Sequence, residues 1–181
     1  MSTRPTPAPP SASEPGYEVR LVRAEELPAV GRLTADAYVN DGLVDPTNGY
    51  VERLVDAASR AREAEVWVAV EGEQVLGSVT FVVPGSPYRE IARDDEGEFR
   101  MLGVDPAARG RGVGRALVEL CVRRSRELGY AGVRMSTMDR MASAHRVYER
   151  LGFTRVPEDD WSPEPGVHLL AYGVRFERPL S

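Results

Sequence analysis

Between Arg109 and Arg115 the chain reads Arg-Gly-Arg-Gly-Val-Gly-Arg, three glycines interleaved with three arginines. Glycines let successive backbone N–H groups converge on an anion, and a helix starting here adds the partial positive charge of its N-terminus. Helix N-termini favour acids by about 0.3–1 kcal/mol each, so Arg109, Arg111 and Arg115 stand against the dipole. An anion held between them reverses that sign, and the chemistry this predicts is phosphate binding. Two common phosphate loops are excluded. A Walker A loop needs a lysine after its last glycine, and all 23 Lys+Arg residues of this chain are arginine. A dinucleotide fingerprint, G-x-G-x-x-G, read from Gly112 places Leu117 at the third glycine; read from Gly110, it places Arg115 there.

The spacing that remains is Arg109-x-x-Gly112-x-Gly114, preceded by Val104-Asp105-Pro106 and followed by Ala116-Leu117. Further on, the segment from Ala144 through Tyr148 to Gly152-Phe153 has the form A-x-x-x-Y-x-x-x-G-F. In both segments the chain resembles the GCN5-related N-acetyltransferase (GNAT) family, and the order of elements agrees over residues 17–176. The resemblance implies acetyl-CoA as cosubstrate and direct acetyl transfer to a primary amine. It implies that the backbone of Leu102, Gly103 and Val104 pairs with the pantetheine arm. Arg109, Gly110, Arg111, Gly112, Val113, Gly114 and Arg115 would then hold the pyrophosphate. In such a fold the sheet splays near Gly103, and a glycine inside a strand marks a bulge or a close approach by another backbone. The family commonly carries asparagine seven residues before its tyrosine, where this chain has Met141. Ser143 can replace that contact or serve as a helix N-cap. The departure keeps a second function open, an acetyl-CoA-binding regulatory or sensor module with little turnover.

Aminolysis of a thioester needs a neutral amine and a protonated leaving thiol, with free pKa values near ~10.4 and ~8.5. By resemblance Tyr148 supplies the thiol's proton, although Ala144, Val147, Tyr148 and Leu151 share one helical face and a packing role competes. Glu98 stands where the family often places the carboxylate that takes the amine's proton; its rival reading is a surface acid beside Asp94-Asp95-Glu96. Cys121 lies on the apolar stripe of its helix and reads as structural, and His145 and His168 have no acid partner by spacing. The acceptor's wall falls on residues 41–50 and 157–166. In the second segment Glu158, Asp159, Asp160 and Glu164 surround Trp161, either as a solvated acidic loop or as a rim for a cationic acceptor. A small-molecule or peptide amine fits either reading.

These residues need a scaffold. Alternation and helical spacing predict strands over 17–23, 65–70, 75–83, 98–104, 133–138, 152–156 and 167–176, and helices over 24–39, 50–62, 113–128 and 143–151. Glu71-Gly72-Glu73-Gln74 reads as a hairpin turn, and Gly152 as the left-handed cap of the last helix with Phe153 folding back on it. Elements mixed in this order predict an α/β or α+β fold around one largely antiparallel sheet. Residues 1–16 read as a loose Pro/Ser-rich tail and 17–181 as a single domain. A net charge of −5 argues against nucleic acid as a partner. No apolar run approaches the roughly 18 residues of a membrane span. One cysteine permits no intrachain disulfide and fits a cytoplasmic home. With only two histidines beside it, no metal site is expected. A homodimer is compatible with all of this.

Overall fold

The computed structural model describes residues 16–177, so the tail falls almost wholly outside the described residues. Strand β1 (Glu18–Leu21) leads through a 3-10 turn into helix α1 (Leu27–Asn40). Glu26 closes that turn, accepting from the Arg23 N–H at 2.8 Å and pairing with Arg20 at 2.6 Å. Where the spacing predicts one helix over 50–62, the structure has two, α2 (Tyr50–Val55) and α3 (Ala57–Glu63). The break is at Asp56, whose carboxylate accepts from the Ser59 N–H at 3.0 Å and its hydroxyl at 2.6 Å. A short acidic side chain is a better N-cap than helix-interior residue, so a new helix starts here. The end of α2 is closed by the buried Arg60 guanidinium, which donates to the Arg53 and Leu54 carbonyls at 2.8 and 2.7 Å. Helix α1 meets α2 across Gly31, where a Cβ would lie 2.0 Å from the Val55 carbonyl oxygen.

The remaining elements are β2 (Glu65–Glu71), β3 (Gln74–Val82), β4 (Glu96–Val104), α4 (Val113–Glu127), β5 (Gly132–Met138), α5 (Ala142–Arg150), β6 (Thr154–Arg155) and β7 (Leu169–Arg175). Gly72, at φ 60°, turns the β2–β3 hairpin, as its turn chemistry predicts. All seven strands form one sheet in the order β1-β2-β3-β4-β5-β7-β6, antiparallel except for the β4–β5 pair. Strand alternation sends Val66, Val68 and Val70 to one face, where they pack with Val30 of α1 and Ala57 of α3. The opposite face carries Leu76, Phe81, Phe99 and Val133 against Leu117, Val118 and Cys121 of α4. Cys121 is fully buried, and burial pushes its thiol pKa up, so it behaves as a core residue.

Two departures from a regular sheet open the site. First, β4 pairs with β5 only through Glu96↔Gly132, Gly97↔Val133 and Glu98↔Arg134, although both strands run on. Second, the β3–β4 register passes from Ser78↔Gly103 to Thr80↔Arg100, so Met101 and Leu102 oppose Val79 alone. This bulge centres on Met101, at φ 54°, two residues before Gly103. Gly103 has a different reason: a Cβ there would lie 3.3 Å from Leu33 and 3.4 Å from Ala37 of α1. The close approach comes from a helix. A non-glycine residue held in the left-handed region costs about 1–3 kcal/mol and persists only where its surroundings over-determine it; here Met101 is 3% exposed.

Candidate active site

Where β4 and β5 part, a cavity of about 460 Å³ opens. Phe99, Arg100, Met101 and Leu102 line it from β4, and Met135, Ser136, Thr137 and Met138 from β5. Both segments expected to wall the acceptor contribute, the first through Leu43, Val44, Asp45, Asn48 and Tyr50, the second through Trp161 and Pro163–Val167. They meet where Asn48 donates to Glu164 at 2.9 Å.

Tyr148 lines the cavity from α5 and is at the same time core, 2% exposed, with Phe99, Phe153 and Tyr172 rings 5.9–6.1 Å away. The ring thus packs in the core and also reaches the cavity wall. Burial pushes its phenol pKa up, so the hydroxyl stays a proton donor. The placement of α5 rests on Gly152 at φ 88° and on the Phe153 N–H donating to the Tyr148 carbonyl at 3.0 Å. Ser143 is not the N-cap of this helix; that position is Met141, and Ser143 is an exposed residue of the first turn. Met141 itself lines the cavity.

Glu98 is 1% exposed and is not among the cavity's lining residues. Its carboxylate accepts from the backbone N–H groups of Glu90 at 3.1 Å, Ile91 at 3.2 Å and Ala92 at 3.0 Å. The structure thus turns it toward the loop before β4 and away from the expected place beside an acceptor amine. The cavity instead holds Glu90, ion-paired with Arg100 at 2.6 Å, together with Tyr38, Tyr50 and Arg53. None of these carries a sequence motif. Glu90 and Arg100 meet only because the loop folds back over β4.

The acidic connection is tied into the fold by ion pairs and hydrogen bonds. Asp159 pairs with the buried Arg134. Asp160 binds Arg155 at 2.7 Å and accepts from the Ala171 N–H at 2.8 Å. Trp161 is partly buried and donates to Ser136 at 3.1 Å. Of the four carboxylates, Glu164 alone lines the cavity.

At the C-terminal end of β4, Gly114 packs its backbone beside Val104, a Cβ there falling 3.6 Å from the valine side chain. Gly110 and Gly112 take φ 82° and 77°, backbone that suits glycine, and Gly112 is the N-cap of α4. No side chain caps this helix, which leaves its first-turn N–H groups without a capping partner. The three arginines do not converge. Arg109 pairs with Asp41 at 2.8 Å, Arg111 with Glu71 at 2.8 Å and Arg115 with Glu119 at 2.7 Å. A turn of glycine backbone at an uncapped helix start, flanked by exposed guanidinium groups, fits a pyrophosphate.

The family model described as acetyltransferase (GNAT) family matches residues 32–153, which span β4, the glycine turn, α4, β5 and α5. The chain is a member of the GNAT family. Mycothiol acetyltransferase of Cellulomonas flavigena is 35% identical to it over 190 residues, covering 98% of this chain and 53% of that protein. N-acetylaspartate synthetase of Danio rerio is 35% identical over 101 residues, covering 56% of this chain and 33% of the relative. This GNAT domain spans about half the length of the Cellulomonas relative. Among solved structures, an acetyltransferase from Salmonella typhimurium with its cofactor acetyl-CoA aligns at TM-score 0.67 and 20% identity, covering 92% of this chain and 97% of that one. A GNAT acetyltransferase from Staphylococcus aureus aligns at TM-score 0.71 and 14% identity, over 89% and 99%. These last two share the fold. Among the described residues no helix is long and apolar enough to cross a membrane.

Proposed function

We propose that this GNAT domain transfers an acetyl group from acetyl-CoA directly to a primary amine of a small-molecule or peptide acceptor. The observation that carries this reading is one cavity, at the parting of β4 and β5, bounded by the Met101 bulge and Tyr148. Past Glu98 the edge of β4 that faces β5 is unpaired, and the Met101 bulge re-aims its backbone, so this edge is available to a thioester carbonyl and to the pantetheine arm along Leu102, Gly103 and Val104. The pyrophosphate rests on Arg109–Arg115. Its cost there is small, because the exposed ion pairs of these arginines contribute only about 0–1 kcal/mol each. Tyr148 donates its proton to the leaving thiolate. The amine precursor of mycothiol and aspartate, suggested by the names of the Cellulomonas and Danio relatives, belong with polyamines and peptides in the acceptor panel.

The experiment is thiol release from acetyl-CoA across that panel, with thermal shift on the same protein. Acetyl-CoA at a hundredfold excess over its Kd is expected to stabilise the fold by about 2.7 kcal/mol. Gly112→Glu is expected to abolish that shift, because it places a carboxylate and a Cβ in left-handed backbone at the pyrophosphate. Equal stabilisation of both proteins would remove the phosphate-site assignment.

A further inference from the structure

Two glutamates, eight residues apart in the chain, are joined through one loop, and their surroundings divide the work between them. Glu98 is sealed in the sheet and spends its carboxylate on the N–H groups of residues 90–92. These bonds fix the loop in a single path over β4. Glu90 is carried on that loop into the cavity, its side chain 21% exposed and paired with Arg100 through Oε1. Arg100 is itself fixed, since it also donates to the Tyr88 carbonyl at 2.9 Å and the Tyr50 hydroxyl at 3.4 Å. One carboxylate is therefore a clamp and the other faces the space where an acceptor must sit.

We propose that Glu90 takes the proton from the acceptor amine, with Glu98 and Arg100 as positioning residues that hold it there. This rests on the transferase reading of the cavity. The acceptor ammonium gives one proton to Glu90, which passes it to solvent. The freed nitrogen lone pair attacks the thioester carbon, the C–N bond forms and the C–S bond breaks. The thiolate takes a proton from Tyr148, and the nitrogen's second proton restores that tyrosine. The products are an N-acetyl amide, free thiol and one released proton.

The groups facing Glu90 set its basicity. Burial raises its pKa, Arg100 on β4 and Arg53 on α2 oppose the rise, and Glu98 adds to it. The net direction is upward, toward a better match with the work of a general base. Burial raises the Glu98 pKa as well, so geometry divides the two roles: Glu90 lines the cavity and Glu98 does not.

The test is the pH profile of kcat/KM for the best amine in wild type, Glu90→Gln and Glu98→Gln. Glutamine at position 90 keeps an oxygen for Arg100, and thermal shift by acetyl-CoA verifies that each variant folds. For Glu90→Gln we expect kcat/KM to fall by about 10²–10⁴-fold near neutral pH, with the wild-type acid limb replaced by a rise that continues toward the amine's own pKa. The deficit should shrink as pH approaches ~10.4, where the amine deprotonates without help. A merely structural role for Glu90 would not show that recovery. Glu98→Gln should loosen the loop and lower activity while keeping the acid limb. If Glu98→Gln loses the limb and Glu90→Gln keeps it, the assignment is overturned and Glu98 is the base. If acetyl-CoA stabilises wild type but no amine in the panel releases thiol, the transferase reading fails first, and the role of Glu90 with it.

Discussion

Replacing Tyr148 by phenylalanine removes one oxygen from a ring that is otherwise core. The ring is 2% exposed and packs on Phe99, Phe153 and Tyr172 at 5.9–6.1 Å, contacts that phenylalanine retains. Stability should therefore change by less than about 1 kcal/mol, the net worth of a typical hydroxyl interaction. Catalysis should change much more. A positioned proton donor contributes about 10²–10⁴-fold, equivalent to about 2.7–5.5 kcal/mol of barrier. The hydroxyl matters most as negative charge develops on sulfur, so the KM for acetyl-CoA and its thermal shift should barely move. Because burial holds the phenol pKa above its ordinary value, no alkaline limb from Tyr148 is expected below pH ~10. Steady-state turnover with the best amine and thermal shift on one preparation check all of this. A variant keeping more than about half of wild-type turnover would leave Tyr148 as packing alone and refute its assignment as the thiol's proton donor.

Acid stability should depend on Glu96. Burial opposes its charge, but hydrogen bonds from Arg134, the Arg93 N–H and Arg175 outweigh this and hold its pKa at about 2, against 4.5 ordinarily. A depressed carboxyl adds stability that is complete above about pH 4.5 and is lost as pH falls toward 2, on the order of 3 kcal/mol here. Urea unfolding from pH 5 to 2 should be flatter in Glu96→Gln, and an unchanged slope would refute the reasoning. Asp159→Asn should lower stability by about 1–3 kcal/mol through Arg134 and leave the acceptor KM unchanged. A raised KM at an unchanged Tm would return Asp159 to the acceptor rim. Gly31→Ala should destabilise by about 1–3 kcal/mol, since its Cβ would meet the Val55 carbonyl oxygen at 2.0 Å. A higher urea midpoint, as helix propensity alone would give, would show that α2 can move aside.

Several features were legible because their signals are local. The glycine–arginine run between a strand and a helix announced a glycine turn at a helix start, and Gly110 and Gly112 do take the left-handed backbone. Gly152 and Phe153 announced the end of α5 and hence the position of Tyr148, four residues before Gly152. The Gly72 turn announced its hairpin. In each case the deciding interaction spans a few residues, and residue type settles backbone conformation directly. Periodicity likewise placed the strands and helices within a few residues, except at Asp56, where a cap overrode a continuous apolar pattern.

What the sequence left open was decided by pairing across the fold. The strand glycine left a bulge and a close approach open at Gly103; the β3 register put the bulge at Met101, and Gly103 has the close approach, to α1. Glu98, Asp159 and Asp160 read alike as carboxylates near a site. Their roles depend on partners that spacing does not reveal: backbone N–H groups of an overlying loop, a buried Arg134 25 residues away, and an Arg155 across a turn. Arg109 and Arg111 likewise found acids 68 and 40 residues distant. A charged side chain's function is set by its burial and nearest opposite charge, and both are properties of the folded sheet and not of the local sequence. The residue types and the glycine turn belong to the sequence; which carboxylate faces the cavity was decided when the loop before β4 folded onto Glu98.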